Sequence, residues 1–283
     1  MSTAAPPLAD AQRPDTGPQA HHAPRGLLLP AVMRSEWTKL RSVRSTLWLL
    51  FATFGIAVGF GLLLSFAYVA RYDRLSIHER LTFDPTAHSL RGLFLAQIAI
   101  GVLGVLIVSS EYATGLIRTT MTAVPQRRTV LAAKALVFGA AALVVDMAAV
   151  FAAFLGGQAV LARKHIGASL GDPNVLRAIL GAGIYITIIG LLGLALAAIV
   201  RRTAGAIAAL FALVLVLPLL AQALPSPWNS DVTKFLPSGL GAALFRVRAG
   251  GDLLSPGAAL IVLLIWLAVA YTLAAILITR RDV

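Results

Sequence analysis

The sequence predicts an all-α integral membrane protein with six transmembrane helices. The 283 residues are 58% hydrophobic and only 13% charged, with a mean hydropathy of +0.84, whereas soluble domains carry about 25% charged residues. A soluble protein of this size has too little polar surface to cover so many apolar side chains. Six apolar stretches are each roughly 20 residues long, the length that a helix needs to cross a bilayer.

The N-terminal residues 1–30 precede the first amphipathic pattern. They are rich in Ala and Pro, and their first part contains no apolar run. The basic start and the apolar core of a signal peptide are both absent. We therefore expect a disordered cytoplasmic tail over 1–30.

Residues 31–46 have the pattern of an amphipathic helix that lies in the membrane interface. Apolar side chains recur at helical spacing, at Met33, Trp37, Leu40 and Val43. Basic side chains occupy the other faces, at Arg34, Lys39, Arg41 and Arg44. Trp37 would lie at headgroup depth, with the basic groups on lipid phosphates. The alternative is that this segment begins a longer first transmembrane helix.

Residues 47–283 contain the six candidate spans, and none of the spans contains Lys or Arg. The spans are about 47–69, 92–110, 135–160, 178–200, 204–224 and 258–279. The basic turn at 201–203 separates the fourth span from the fifth, because two arginines are costly inside hydrocarbon. Gly55-x-x-x-Gly59 and Gly193-x-x-x-Ala197 permit close helix packing, and Pro218 predicts a kink in the fifth span.

The distribution of basic residues predicts the orientation of the chain. With the N-terminus inside, 14 of the 24 Lys and Arg fall on the cytoplasmic side and 10 on the opposite side. Lys39, Arg41 and Arg44, just before the first span, favour the same orientation. The net charge of +12 then indicates contact with anionic lipid rather than with nucleic acid. We expect a multi-pass protein of the cell membrane with both termini in the cytoplasm.

The predicted cytoplasmic loop 109–134 is too polar to cross the membrane and too apolar for a free tether. Leu116, Ile117, Met121 and Val124 have rough helical spacing, and Pro125 stops the helix. We expect one short amphipathic helix beneath the membrane, followed by a basic turn. Such a helix can contact a cytoplasmic partner or only lipid, and the pattern favours neither.

Asp146 is the only ionisable residue within the six predicted spans. An acid at that depth costs about 2.5–3.5 kcal/mol on insertion scales, so it should face the bundle or a watery cavity. Asp146 is therefore a candidate for the substrate path or for gating. The alternative is a neutral acid that hydrogen-bonds to a neighbouring helix, with Gln97, Gln158 or Gln222 as candidate partners.

The longest predicted outer segment is 225–257. Its stretch Phe235–Phe245 is apolar but too short to cross the membrane. We expect this stretch either to dip into the outer leaflet and return or to lie flat on it.

The sequence lacks the residue patterns of an enzyme. It contains no Cys, which excludes disulfides and thiolate metal sites. No GxxxxGK[ST] motif is present, and the pair His78-Glu79 is not followed by the second His of a zinc protease. No Ser–His pair or pair of acids lies at bilayer depth. We therefore expect no catalytic residue, no metal and no cofactor on this chain.

Three segments resemble the ABC-2 type transporter permease family. Residues 35–42, SEWTKLRS, resemble the N-terminal motif of its actinobacterial members. Residues 111–120, EYATGLIRTT, followed by AVPQRR at 123–128, resemble the loop that contains the family's coupling helix. Residues 236–239, LPSG, are similar to the outer loop of this group. The resemblance covers roughly residues 31–283, and the loop motif is its most specific part.

The resemblance implies the membrane-spanning permease subunit of an ABC exporter for a small molecule, a lipid-like compound or a peptide. The permease would form a homodimer, or a heterodimer with a sister permease, and would bind two copies of a separate ATPase subunit that holds ATP and Mg. The short loop helix would be a cytoplasmic coupling helix. By the same resemblance, the ATPase contact would include Glu111, Tyr112, Gly115 and Arg118.

A protein of a different class would share the same spans and loop. A membrane anchor or regulatory subunit would recruit a cytoplasmic partner without transporting anything. Recruitment with no change in ATPase rate or flux would distinguish this alternative from the permease.

Overall fold

A computed structural model describes residues 25–123, 126–247 and 253–280. In this part of the chain every regular element is helical, and six helices are long and apolar enough to cross a membrane. The α-helices of the described residues are α1 (Arg25–Ser42), α2 (Arg44–Arg71), α3 (Ile77–Leu81), α4 (Pro85–Ser89), α5 (Leu93–Ala113), α6 (Leu116–Ala123), α7 (Arg127–Leu161), α8 (Val175–Val200), α9 (Thr203–Phe211), α10 (Leu217–Gln222), α11 (Trp228–Thr233), α12 (Pro237–Phe245) and α13 (Pro256–Arg280). The prediction of six spans is confirmed. Residues 1–24 of the predicted tail lie outside the described residues. The last part of the range predicted as tail, from residue 25, belongs to α1.

The third span is longer than the sequence predicted. α7 begins at Arg127 rather than near residue 135, because its first two turns are covered by protein. Val130 and Ala133 on these turns pack against Val32 of α1 and are buried. The N-terminal helix thus lies beside the start of α7.

α1 and α2 are separate helices. Val43 between them has an extended backbone, with φ −84° and ψ 105°, so α1 is not the beginning of the first transmembrane helix. Three of its predicted interfacial side chains are exposed, namely Arg34, Trp37 and Arg41, and so is Arg44 at the start of α2. Lys39 is different: its Nζ bonds to Glu36 and Glu111 of the bundle, and its predicted contact with lipid phosphates stays a prediction.

α5 and α8 cross at the centre of the bundle. α8 is the most buried of the six crossing helices, with 72% of its most apolar part buried. A Cβ on Gly193 would collide with the carbonyl oxygen of Gly101, and one on Gly104 would collide with that of Gly190. Glycine is therefore required on both helices at this crossing, and the small-residue motif at 193–197 serves packing within the chain.

The glycine motif of α2 has the opposite environment. Gly55 and Gly59 are exposed, and no atom lies within 4 Å of a Cβ added to either. Trp48 and Phe51 nearby are 73% and 69% exposed. α2 therefore presents an apolar face that contacts lipid or another membrane protein rather than this chain.

The fifth span contains a distortion at its centre. α9 continues into a π-helical turn over Ala212–Val216, and α10 follows with Pro218 in its first turn. Proline has no N–H to donate to the preceding turn, and a wide turn accommodates that gap. The fifth span is therefore irregular just before Pro218, and the kink predicted at Pro218 stays a prediction.

The helices define two opposite ends of the bundle. The end that carries α1, α6 and the last turn of α13 is called the α6 end, and the end that carries α3, α4 and α12 is called the α12 end. At the α12 end, Arg177 of α8 donates hydrogen bonds to the carbonyls of Leu244, at 3.0 Å, and Arg246, at 2.6 Å. Gly241 of α12 lies against the ring of Tyr185. The apolar stretch 235–245 is thus held by α8, and its depth in the bilayer stays a prediction.

Candidate functional site

Four charged side chains meet at the α6 end, and we call them the ion cluster. Lys134 Nζ of α7 donates hydrogen bonds to Glu36 Oε2 of α1, at 2.7 Å, and to Glu111 Oε1 of α5, at 2.6 Å. Lys39 Nζ of α1 donates to Glu36 Oε1, at 2.9 Å, and to Glu111 Oε1, at 3.0 Å. Two lysines and two glutamates balance one another in formal charge.

Three members of the ion cluster are almost fully buried. The side chains of Lys134, Glu36 and Glu111 are 4%, 6% and 9% exposed, whereas that of Lys39 is 40% exposed. Burying an ion is unfavourable unless an opposite charge and hydrogen bonds compensate. Burial alone lowers the pKa of Lys39, but hydrogen bonds and attraction to both glutamates outweigh it and raise the pKa above its usual 10.5. Lys39 therefore stays charged.

The ion cluster lies directly before the short loop helix. Glu111 is in the last turn of α5, and α6 begins at Leu116. Between them, Gly115 has φ +74°, a left-handed conformation that favours glycine. A connection of only Thr114 and Gly115 therefore links α6 to a helix end that is fixed by the ion cluster.

α6 presents an exposed surface next to this connection. Ile117 is buried and holds α6 against the bundle, whereas Leu116 is 57% exposed. Gly115, Thr119 and Thr122 are exposed as well. The surface is small, partly apolar and free of charged groups at these positions, so it is suited to packing against a complementary protein surface.

Two arginines attach the last turn of α13 to the α6 end. Arg127 donates a hydrogen bond to the carbonyl of Ile278, at 3.0 Å, and Arg201 donates to that of Leu277, at 3.1 Å. The final carbonyls of a helix lack partners within the helix, and cations are favourable there. Arg201 also lies 5.5 Å from the ring centre of Tyr112, so α13 is connected to the residue that follows Glu111.

Asp146 lies between α7 and α8 and is 1% exposed. Its Oδ2 is 3.0 Å from Thr187 Oγ1, and Thr187 Oγ1 is also 3.0 Å from the carbonyl of Gly183. None of the three candidate glutamine partners hydrogen-bonds to it: Gln97 bonds to Tyr185, Gln158 bonds to residues at the α12 end, and Gln222 is exposed. Those partner assignments are wrong, whereas a role of Asp146 in the substrate path or in gating stays a prediction.

The residues expected at an ATPase contact have unequal environments. Glu111 is buried in the ion cluster, and Tyr112 is half-buried beside Arg201. Gly115 is exposed in the turn. Arg118 lies in α6, and its side chain is outside the described part of the structure. Glu111 is thus placed to hold α5 in position rather than to present its side chain to a partner.

No site role for Glu36 or Lys134 was predicted from the sequence. Glu36 is the only acid in a basic helix and precedes Lys39 by three residues, a spacing that puts both on one helix face. Lys134 immediately precedes a long apolar run. An isolated acid among bases and a lysine at the edge of a span were the signals for a buried ion pair.

The features at both ends define a polytopic helical membrane protein in which the ion cluster lies next to the exposed helix α6. A family model for the ABC-2 family transporter protein matches residues 32–221. This match covers more than half of the chain, so the protein belongs to the ABC-2 transporter family. A comparison with curated proteins gives no match. The protein is therefore a membrane permease of an ABC transporter and a transport subunit rather than an enzyme.

Proposed function

We propose that the chain is the permease subunit of an ABC exporter and that a separate ATPase, which binds ATP and Mg, docks on α6. Family membership supports the transport role, and the sequence contains no phosphate-binding GxxxxGK[ST] loop of its own. The observation that carries the proposal is the position of the ion cluster, one short turn away from the exposed surface of α6.

The geometry supports a path by which a displacement of α6 reaches the spans. Ion pairs with little access to water resist separation, because removing one partner leaves a buried charge. Glu36, Glu111 and Lys134 therefore make the ends of α1, α5 and α7 move together. α5 in turn crosses α8 at a tight glycine contact, where the two helices can shift only as a packed pair.

In this proposal the α6 end faces the cytoplasm, in the cell membrane, with both chain termini on the same side. The bias of basic residues toward that end supports the orientation. Two permeases and two ATPase subunits form the complete transporter. The apolar face of α2 around Gly55 and Gly59 is exposed and supports pairing with a second permease, either identical or related. The cargo is a small molecule, a lipid-like compound or a peptide.

The test uses a substitution on the exposed surface of α6. Leu116→Asp should abolish co-purification of a nucleotide-hydrolysing subunit from membranes of the native host, while the permease still inserts and keeps its thermal stability. Ile77→Asp is the matched control, because Ile77 is 78% exposed and lies at the α12 end. It should leave co-purification unchanged.

The outcomes separate the permease from the anchor. Loss of co-purification with Leu116→Asp but not with Ile77→Asp supports docking on α6. ATP-dependent release of cargo in vesicles that contain both subunits supports export. An ATPase that binds through α6 but whose hydrolysis rate is the same with and without this chain would indicate the anchor instead. Equal effects of both substitutions would contradict the docking site.

A further inference from the structure

A deep cleft opens at the α12 end, far from the ion cluster. It has a volume of about 840 Å³ and lies between α2, the α3–α4 segment, α5, α8 and α12. Asp146 does not line it. A cleft of this size matches the volume of small-molecule sites in proteins, roughly 300–1,000 Å³.

The polar side of the cleft carries three arginines, namely Arg71, Arg91 and Arg246. Their side chains are exposed and make no hydrogen bond or ion pair with the described residues. Two acids also line the cleft, but backbone or local groups already engage both. Asp84 accepts hydrogen bonds from the N–H groups of Ala87 and Val247, at 3.0 and 3.1 Å, and Glu79 accepts from Ser76. The arginines are therefore available to an anion.

One wall of the cleft is apolar, although Gln97 and Tyr185 also line the cleft. Phe60, Leu64 and Phe94 line it, and Phe94 is 57% exposed. Phe60 precedes Arg71 by 11 positions on α2, which corresponds to about 16 Å along a helix at 1.5 Å per residue. That distance is close to half the thickness of the hydrocarbon core of a bilayer, about 15 Å. The cleft thus extends from the basic mouth through the depth of one leaflet.

Two hydroxyl groups in the wall have no partner within the described residues. Tyr68 Oη and Ser238 Oγ are buried, line the cleft and make no hydrogen bond there. The ring of Tyr68 stacks on Phe83, with centroids 4.0 Å apart, and packs against His88 at 4.8 Å, so its hydroxyl is held in place. A buried polar group without a partner is unfavourable, and an acceptor in the cleft within hydrogen-bonding distance of either hydroxyl would remove that cost for it.

We propose that this cleft binds one anionic lipid of the surrounding bilayer. The phosphate lies against Arg71 and Arg91, Tyr68 donates a hydrogen bond to the headgroup or the ester region, and an acyl chain runs along Phe60 and Phe94. Arginine pairs well with phosphate because its guanidinium presents two parallel donors. A soluble anion would leave the apolar interior filled with water, and a cationic peptide would be repelled by the arginines.

The proposal goes beyond transport, since lipid binding requires neither ATP nor an ATPase. Its test is lipid binding to the purified full-length chain in detergent, measured by native mass spectrometry. Phosphatidylglycerol competes with phosphatidylcholine of the same acyl chains. Wild type should prefer phosphatidylglycerol by about tenfold, because both headgroups carry the same phosphate but phosphatidylcholine also carries an ammonium group that the arginines repel.

Three variants locate the binding. Arg71→Gln combined with Arg91→Gln should abolish the preference, and Tyr68→Phe should weaken phosphatidylglycerol binding about threefold to tenfold with no loss of thermal stability, because only an unpartnered hydroxyl is removed. Arg74→Gln is the matched control, since Arg74 is exposed at the same end but does not line the cleft. It should behave as wild type.

Other results would overturn the assignment. Equal binding of the two lipids by wild type, or an equal loss in Arg74→Gln, would show that general surface charge is responsible. Displacement of phosphatidylglycerol by the same concentration of glycerol phosphate would show a site for a soluble anion in place of a lipid. An intact preference in Tyr68→Phe and in the double variant would place the lipid elsewhere.

Discussion

Lys134 Nζ lies 2.7 Å from Glu36 Oε2, although the two residues are 98 positions apart in the chain. This contact fixes the N-terminal helix to the beginning of the third span, in a place that water barely reaches. Because a shared Glu111 completes the arrangement, the end of α5 is fixed as well. Replacing one member of such a group has a larger effect than its net contribution suggests, since the remaining charges lose their compensation.

Lys134→Met should destabilise the protein by about 3–5 kcal/mol, the usual effect of removing one partner of a buried ion pair. Two buried glutamates would then share only Lys39. Adding Glu111→Gln should recover part of the loss, because it removes one unbalanced charge. The measurement is the free energy of unfolding in detergent for wild type, single and double variants.

The decisive quantity is the difference between the stability lost in the double variant and the sum of the losses in the two single variants. If the double variant lost the sum of the two single losses, Lys134 and Glu111 would act independently. The same set of variants also separates folding from docking. A Glu111 variant that fails to bind an ATPase is informative only when its stability has been measured.

Gly193→Ala should disrupt the α5–α8 crossing and destabilise the protein by about 1–3 kcal/mol, as is typical of overpacked interiors. The added methyl group would collide with the backbone of Gly101, which cannot move away as a side chain could. Gly55→Ala is the matched control, because space around Gly55 is open within 4 Å, and its effect should stay within about 1 kcal/mol. Thermal unfolding in detergent compares the two. Equal shifts would contradict the assigned contact.

The fold was largely predictable from hydropathy, whereas the ion cluster that links α1, α5 and α7 was not. Span positions depend on runs of apolar residues, which are visible in one dimension. The pairing of Glu36 with Lys134 depends on where α1 packs, and a basic amphipathic pattern fits both a lipid surface and a protein surface. The same holds for the glycines: Gly193 and Gly55 belong to similar motifs, but only the tertiary structure shows that one is buried and the other exposed.

The effect of Lys39 on stability should depend on pH. Its pKa is raised in the folded state, so its contribution is fully present below 10.5, the value for an unperturbed lysine, and is lost as the pH rises through the folded-state pKa. The stability difference between wild type and Lys39→Met should therefore shrink above pH 10.5. Arg41→Gln, on the same helix, serves as the control because arginine keeps its charge in this range. The stability difference between wild type and Arg41→Gln should therefore stay constant. A constant difference for Lys39→Met would contradict the assigned contacts to Glu36 and Glu111.

Asp146→Asn tests whether Asp146 takes part in transport or only holds α7 against α8. Thr187 has one hydroxyl proton and lies at hydrogen-bonding distance from both Asp146 and the carbonyl of Gly183. When that proton goes to Gly183, only a protonated Asp146 can donate to Thr187, and an asparagine amide can donate in its place. The folded protein should therefore keep its stability within about 1 kcal/mol, whereas Thr187→Val should lose about 1–3 kcal/mol by leaving a buried carboxyl without a partner. Cargo flux in vesicles that contain the ATPase should fall in Asp146→Asn if a change of charge at this position gates the spans. Normal flux at normal stability would restrict Asp146 to holding α7 against α8.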